Sequence, residues 1–275
     1  KQVIDGEVLG CTVGRVTRGH RYHTKNAMTI LSAGMYLQTL LKKGKVVADF
    51  EKRKAMIVQQ ARDVVHKTLG KDARVYISSD AFLNEVTGLV EWPVALCGKF
   101  DARFLELPSE VLISSMQDHQ RYFAVKDKQD KLLPYFVTIS NIESGDESRV
   151  VHGNERVLRA RLSDAAFFFD VDKQENMDAR VERLKTILYQ AKLGTLYDKA
   201  ERLSRLASAI TQQIGGDKVQ AARAGLLAKA DLTSAMVGEF PELQGVMGGY
   251  YAVSNGESTQ VSQAIGEHYL PRFAG

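Results

Sequence analysis

The chain has 275 residues, 44% of them hydrophobic and 25% charged, with a formal net charge of +4. That length allows two domains and a sizeable core, and the composition excludes a disordered or collagen-like chain. No apolar run approaches the roughly 20 residues needed to span a bilayer, and no signal peptide is expected. The mild basic excess suits a polyanion-facing surface without establishing one. Cys11 and Cys97 are the only cysteines and lack metal-type spacing, so they read as thiols in a reducing compartment. The chain starts at Lys1 and stops at "PRFAG", and both ends are expected to be cuts through a longer protein.

In chain order, "GEVLGCTVGRVTRGHRYH" alternates apolar with small or polar residues and predicts strands with a tight turn. From Tyr36 to Leu69 apolar residues recur at helical spacing, with Phe50, Ile57, Val64 and Val65 near one face and Gly70 as the stop. "DAFLNEVTGLVEWP" predicts a helix capped by Asp80 and ended by Pro93. "VALCGKF" predicts a buried strand, and Pro108 opens one or two helical turns over Val111 to Met116. "RYFAVKDKQDKLLPYFVTIS" predicts a hairpin turning at Lys126 to Lys131.

After Phe169 strand-forming sequence gives out. Val181, Leu184, Ile187 and Leu188 form one helical stripe, and Leu203, Leu206, Ala207 and Ile210 form another that Gly215-Gly216 ends. A third helix is expected to start at Asp217 as N-cap, and a short one runs from Ser258 to His268.

No phosphate loop, nucleophile elbow, paired-cysteine zinc site or kinase motif is present. Three stretches carry candidate chemistry. "RGHRYH" offers Arg18 and Arg21 as phosphate forks beside Tyr22, or it is a solvated tip. "QDHQRYF" offers His119 and Arg121 on a polar corner between helix and hairpin; Asp118 and His119 as an acid–base pair is disfavoured. "GNERVLRARLSDAAFFFD" sets Arg156, Arg159 and Arg161 near an aromatic block. They suit either a phosphate-facing surface or an Arg–Asp network inside the fold.

Seven stretches, "LVEWPVAL", "SSMQDHQRYFAV", "ISNIES", "GNERVLRARLSDAAFFF", "QAKLGTLYDKAERL", "RAGLLAKADLTSAMVGEFPELQGVMGGYYA" and "YLPRFAG", occur in the order that resembles the beta subunit of bacterial glycyl-tRNA synthetase, the α₂β₂ type. The likeness runs from near Gly6 to Gly275. The family's beta chain is much longer, so this sequence is expected to be a piece lacking the C-terminal anticodon-binding part. The resemblance implies a partner alpha subunit that uses ATP and Mg to activate glycine, while the beta chain binds and positions tRNA(Gly) in the cytoplasm. It also implies an α+β architecture. A mixed α/β domain over 1–172 is similar to a domain of the phenylalanyl-tRNA synthetase beta chain. An all-α HD-like domain, truncated or partial, follows over 173–275.

HD hydrolases hold metal through a His-Asp pair. The matching positions here are Ala230 and Asp231, and no His lies between Gly153 and Glu267. The expectation is therefore an HD-like scaffold with no metal, no cofactor and no catalytic residue, in which Asp231 survives as a cap or helix–helix partner. Hydrolytic editing is not expected, because a site for glycine rejects larger amino acids by size. The candidates for RNA or subunit contact are Arg18, Arg21, His119, Arg121, Arg156, Arg159 and Arg161. The competing readings are a metal-dependent phosphohydrolase on the helical half and a purely structural connector.

Overall fold

A computed structural model describes residues 14–271 together with the backbone of two short strands before them, β1 (Gln2–Ile4) and β2 (Glu7–Leu9), which pair antiparallel. Gly6 and residues 10–13 of the glycine-bearing stretch, Cys11 among them, lie outside the described residues. The chain divides into two compact units, residues 1–102 with 116–159, and residues 103–115 with 160–275.

The first unit is mixed α and β. Strands β3 (Val16–Thr17) and β4 (Met28–Thr29) form a small ladder, followed by helix α1 (Tyr36–Thr39) and a π-type turn over Leu40–Gly44. The helical spacing from Tyr36 to Leu69 is not one helix. Lys45 adopts a left-handed φ of 51° and Val47 N–H donates to Glu91 O, so the chain is extended before α2 (Phe50–Leu69). Asp49 caps α2 by accepting from Lys52 N–H at 3.0 Å, and Gly70 ends it at φ 84°. The buried stripe is Ile57, Ala61 and Val65; Phe50 is exposed and Val64 only half-buried.

After β5 (Arg74–Tyr76) comes α3 (Asp80–Gly88). Its cap is Ser79, whose Oγ accepts from Phe82 N–H at 3.1 Å, not Asp80, which sits in the first turn and pairs with Lys54 at 2.5 Å. Strand β6 (Val94–Lys99) precedes α4 (Ser109–Gln120). This helix runs four residues past the expected Met116, so "SSMQDHQ" is helical and the polar corner narrows to Arg121, at φ 59°. Strands β7 (Phe123–Lys126) and β8 (Leu132–Ser140) form the expected hairpin; the Asp127 carboxylate accepts from Gln129 and Lys131 N–H in its turn.

The antiparallel sheet has the order β5-β7-β8-β6. One core joins Ile57, Ala61 and Val65 of α2 and Phe82, Leu83 and Val86 of α3 to Phe123, Val125 and Val137. Phe82 meets Phe123 edge to face at 5.3 Å. Tyr122 stacks on Phe136 at 4.7 Å and donates its hydroxyl to Asn154 of α5 (Glu147–Lys173). Gly98 makes room for that ring, since a Cβ there would lie 2.5 Å from Phe136 Cζ.

In the second unit α6 (Met177–Arg183) is followed by an element that the helical reading missed. Residues 188–195 form a hairpin of β9 (Leu188–Gln190) and β10 (Gly194–Thr195), so this region is not wholly α. Leu188 accordingly leaves the expected stripe and is exposed, whereas Val181 and Leu184 are buried. Helix α7 (Leu196–Ile214) opens with a Thr195/Asp198 capping box and ends at Gly215, φ 84°. α8 (Lys218–Leu227) starts at the expected cap Asp217, whose Oδ1 accepts from Val219 and Gln220 N–H. Gly225 of α8 approaches the Leu203 backbone of α7, where a Cβ would come within 2.9 Å. Leu206 and Ile210 stay exposed, together with Ile214. Helices α9 (Ala235–Glu239), α10 (Val246–Ser254) and α11 (Thr259–Glu267) complete the unit, α11 under the cap Ser258.

Candidate nucleic-acid interface

The charges that matter most sit on α5. Arg156 and Arg159 are exposed, and among the described residues neither makes an ion pair or a side-chain hydrogen bond. At 100° per residue they lie 60° apart on one face, and Arg149 and His152, both exposed, fall on the same stripe. Those two were not among the sequence candidates, although the spacing of 149, 152, 156 and 159 carries the signal. Arg161 points elsewhere, about 140–160° around the helix from the other two. Its Nη1 pairs with Glu239 Oε1 at 2.6 Å, a carboxylate 78 residues away along the chain. Phe169 is buried against Tyr251 at 6.1 Å, while Phe167 is 64% exposed.

A second basic site surrounds Arg18 and Arg21, both exposed, with Tyr22 67% exposed beside them. The two histidines of this turn are spent on structure. His20 is buried; its backbone N–H donates to Gly44 O at 2.7 Å and its Nδ1 accepts from Tyr22 N–H. His23 Nε2 accepts from Glu143 N–H at 3.1 Å, which ties the turn to the loop entering α5. Residues 14–48 contain seven Lys or Arg and no Asp or Glu.

Arg121 is used differently. Its Nε pairs with Glu85 at 2.6 Å and its Nη1 donates to the carbonyls of Gln117 and Asp118 at the end of α4. This guanidinium closes the helix terminus and anchors α3 rather than standing free. His119 lies one turn-position away, half-buried on the last turn of α4.

In the second unit Asp231 is buried, and its Oδ2 accepts from Gly245 N–H at 2.5 Å and Gly248 N–H at 3.0 Å, at the start of α10. It is the cap that the sequence anticipated. Burial pushes its carboxyl up, against the pull of those two donors. Next to it, Lys229 Nζ stands 2.7 Å from His268 Nε2 and 3.7 Å from the Tyr269 ring centre. His268 Nδ1 contacts Ile265 O at 2.6 Å, so Nδ1 carries the proton and Nε2 accepts from the ammonium. Burial and the nearby Lys199 charge push Lys229 down to about 8. In the unfolded chain a lysine titrates near ~10.4. Between pH 8 and about 10.4 the unfolded state therefore binds more protons, and stability rises with pH. Thermal unfolding across that window should show wild type gaining on Lys229→Met; a constant difference would discount the depressed amine. Among the described residues no three His, Cys, Asp or Glu side chains are placed to hold a metal ion.

A family model described as glycyl-tRNA synthetase beta subunit matches residues 1–275. The chain belongs to that family. Curated relatives named glycine–tRNA ligase beta subunit agree over its whole length: 49% identity with the protein of Stutzerimonas stutzeri, and 48% with those of Pseudomonas putida and Acinetobacter baylyi. The chain spans about two fifths of these relatives, 40% of the first and 39% of the other two. Within this glycyl-tRNA synthetase beta family chain, no helix among the described residues is long and apolar enough to cross a membrane.

Proposed function

We propose that this chain is the tRNA-gripping and subunit-docking part of a glycine–tRNA ligase beta subunit, acting in the cytoplasm. Glycine activation with ATP and Mg, and transfer to tRNA(Gly), belong to a separate alpha subunit in this reading. The chain supplies no catalytic group, metal ligand or cofactor. The observation that carries the proposal is the pair Arg156 and Arg159, exposed and without partners among the described residues on one face of a helix in a synthetase-family chain. An unpaired guanidinium displaces the counterions of a phosphate at little cost to its own fold. Arg18, Arg21 and Tyr22 extend the same chemistry with two more forks and a ring able to stack on an unpaired base.

In this reading the helical unit is an HD-like scaffold that uses Asp231 as a cap, and the first unit is related to a domain of the phenylalanyl enzyme's beta chain. Arg121 and Arg161 fit fold-holding better than RNA contact, because each already faces a carboxylate.

Arg156→Ala/Arg159→Ala should weaken tRNA(Gly) binding. It should also reduce the slope of log affinity against log salt by about 1.5–2, roughly one counterion per lost contact. An unchanged slope would remove these arginines from the interface. Stoichiometric metal with phosphatase activity in the purified chain would favour the hydrolase reading instead, and unaltered tRNA mobility at low salt would favour a protein-only connector.

A further inference from the structure

The two edges of the four-stranded sheet are treated differently. An edge strand points alternate N–H and C=O groups away from its only neighbour, and these groups pair with whatever approaches. On β6 side chains cap two of the outward amides. Ala95 N–H donates to Gln60 Oε1 at 3.0 Å and Lys99 N–H donates to Glu155 Oε1 at 3.0 Å. Side chains from α2 and α5 thus occupy that edge. On β5 the pairing with β7 is the only backbone hydrogen bonding of Arg74–Tyr76 among the described residues; the Arg74 side chain turns to Asp130, and no side chain caps the outer backbone groups.

Beside this open edge lies a groove of about 560 Å³. One wall is the α2 stripe Val58, Arg62 and His66, at i, i+4 and i+8; the other is Val75, Tyr76 and Ile77. The floor is apolar and the rim cationic. Arg62 is exposed and makes no ion pair among the described residues. A helix set against an open strand edge, with a gap between them, is the geometry that accepts an added strand.

We propose that this groove binds an extended, carboxylate-bearing polypeptide segment of a protein partner, which pairs with β5 as a fifth strand. Its backbone meets the outward groups of residues 74–76, its apolar side chains enter beside Val58 and Val75, and its carboxylates meet Arg62 and His66. The choice of peptide over single-stranded RNA rests on Tyr76. Its ring already lies 4.0 Å from Lys126 Nζ, so that face is taken and is not a platform for a base. The inference does not depend on the tRNA role assigned to α5.

The test uses the full chain and a fluorescein-labelled peptide, acetyl-(Glu-Val)4-amide, followed by anisotropy. Its controls are the lysine counterpart (Lys-Val)4, the acidic peptide N-methylated at alternate backbone amides, and a mixed-sequence single-stranded RNA as competitor. Saturable binding of the acidic peptide is expected. Arg62→Glu/His66→Glu should weaken it by at least about tenfold and invert the preference toward the lysine peptide. N-methylation should cost a similar factor, and bound peptide should slow hydrogen exchange at residues 74–77. Equal binding of the N-methylated peptide would overturn strand addition. Absence of saturation at millimolar peptide, or displacement by the RNA, would overturn the proposal.

Discussion

Asp172→Ala is expected to destabilise the helical unit by about 3–5 kcal/mol, the range for leaving one member of a buried ion pair uncompensated. Asp172 is the hub of that unit. Its Oδ1 accepts from Ala235 N–H at 3.1 Å and pairs with Arg180 Nη2 at 3.1 Å. Its Oδ2 accepts from Met236 N–H and the Tyr251 hydroxyl, both at 2.9 Å. Arg180 is fully buried, and its other carboxylate contact is Glu175 at 3.3 Å. Removing the Asp172 carboxylate therefore leaves the buried guanidinium with Glu175 as its one remaining carboxylate partner among the described residues and uncaps the first two amides of α9. It also orphans a phenol whose pKa burial and this carboxylate both raise. A urea midpoint followed by far-UV circular dichroism reads the loss. Arg180→Met added to Asp172→Ala should recover part of it, because the buried charge goes too. A single-variant loss below about 1 kcal/mol would dismiss the hub.

The second large effect is at Asp231, the buried carboxylate at the start of α10. Asp231→Ala leaves two buried backbone amides, Gly245 and Gly248, without acceptors, at ~1–3 kcal/mol each. A loss of about 2–6 kcal/mol follows. Asp231→Asn keeps an oxygen at the same place and should retain most of the stability. Here the pH dependence has a definite sign. Burial raises the folded carboxyl above the ordinary aspartate value of 3.8. Between that value and the folded one, the folded state binds more protons, so wild type gains stability on acidification. Asn does not titrate. Wild type should therefore gain on Asp231→Asn as pH falls from neutral toward 4. A gap that moves the other way would mean the two amide donors outweigh burial.

Both sites show how far sequence reasoning reaches. Asp231 could be assigned a capping role because the missing histidine removed its alternative. Asp172 could not be found, because its partners lie 8, 63, 64 and 79 residues away along the chain. Local signals worked where the cause is local: Gly70 and Gly215 stop their helices through left-handed φ, and Asp217 caps α8 through amides two and three residues on. Ser79 displaced Asp80 as a cap because both are good acceptors and only backbone conformation separates them.

Periodicity tells which residues share a face but not whether anything covers it. Leu203 and Ala207 are half-buried while Leu206 and Ile210, one step round the same helix, stay exposed. The hairpin at 188–195 was lost for a related reason, since Leu188 continues a helical spacing that its strand conformation ignores. At the candidate interface Arg156, Arg159 and Arg161 are equivalent in sequence, and only the fold places Glu239 beside one of them.

The acid-free stretch has one more consequence. With seven cations in residues 14–48 against a net +4 for the whole chain, the remaining 240 residues sum to −3. The charge is thus unevenly spread along the sequence, which a pI near 8.9 conceals. If the chain grips tRNA as proposed above, the field of the basic segment would turn the approaching polyanion toward it before contact. That alignment fades once added salt shortens the reach of the field to a few ångströms.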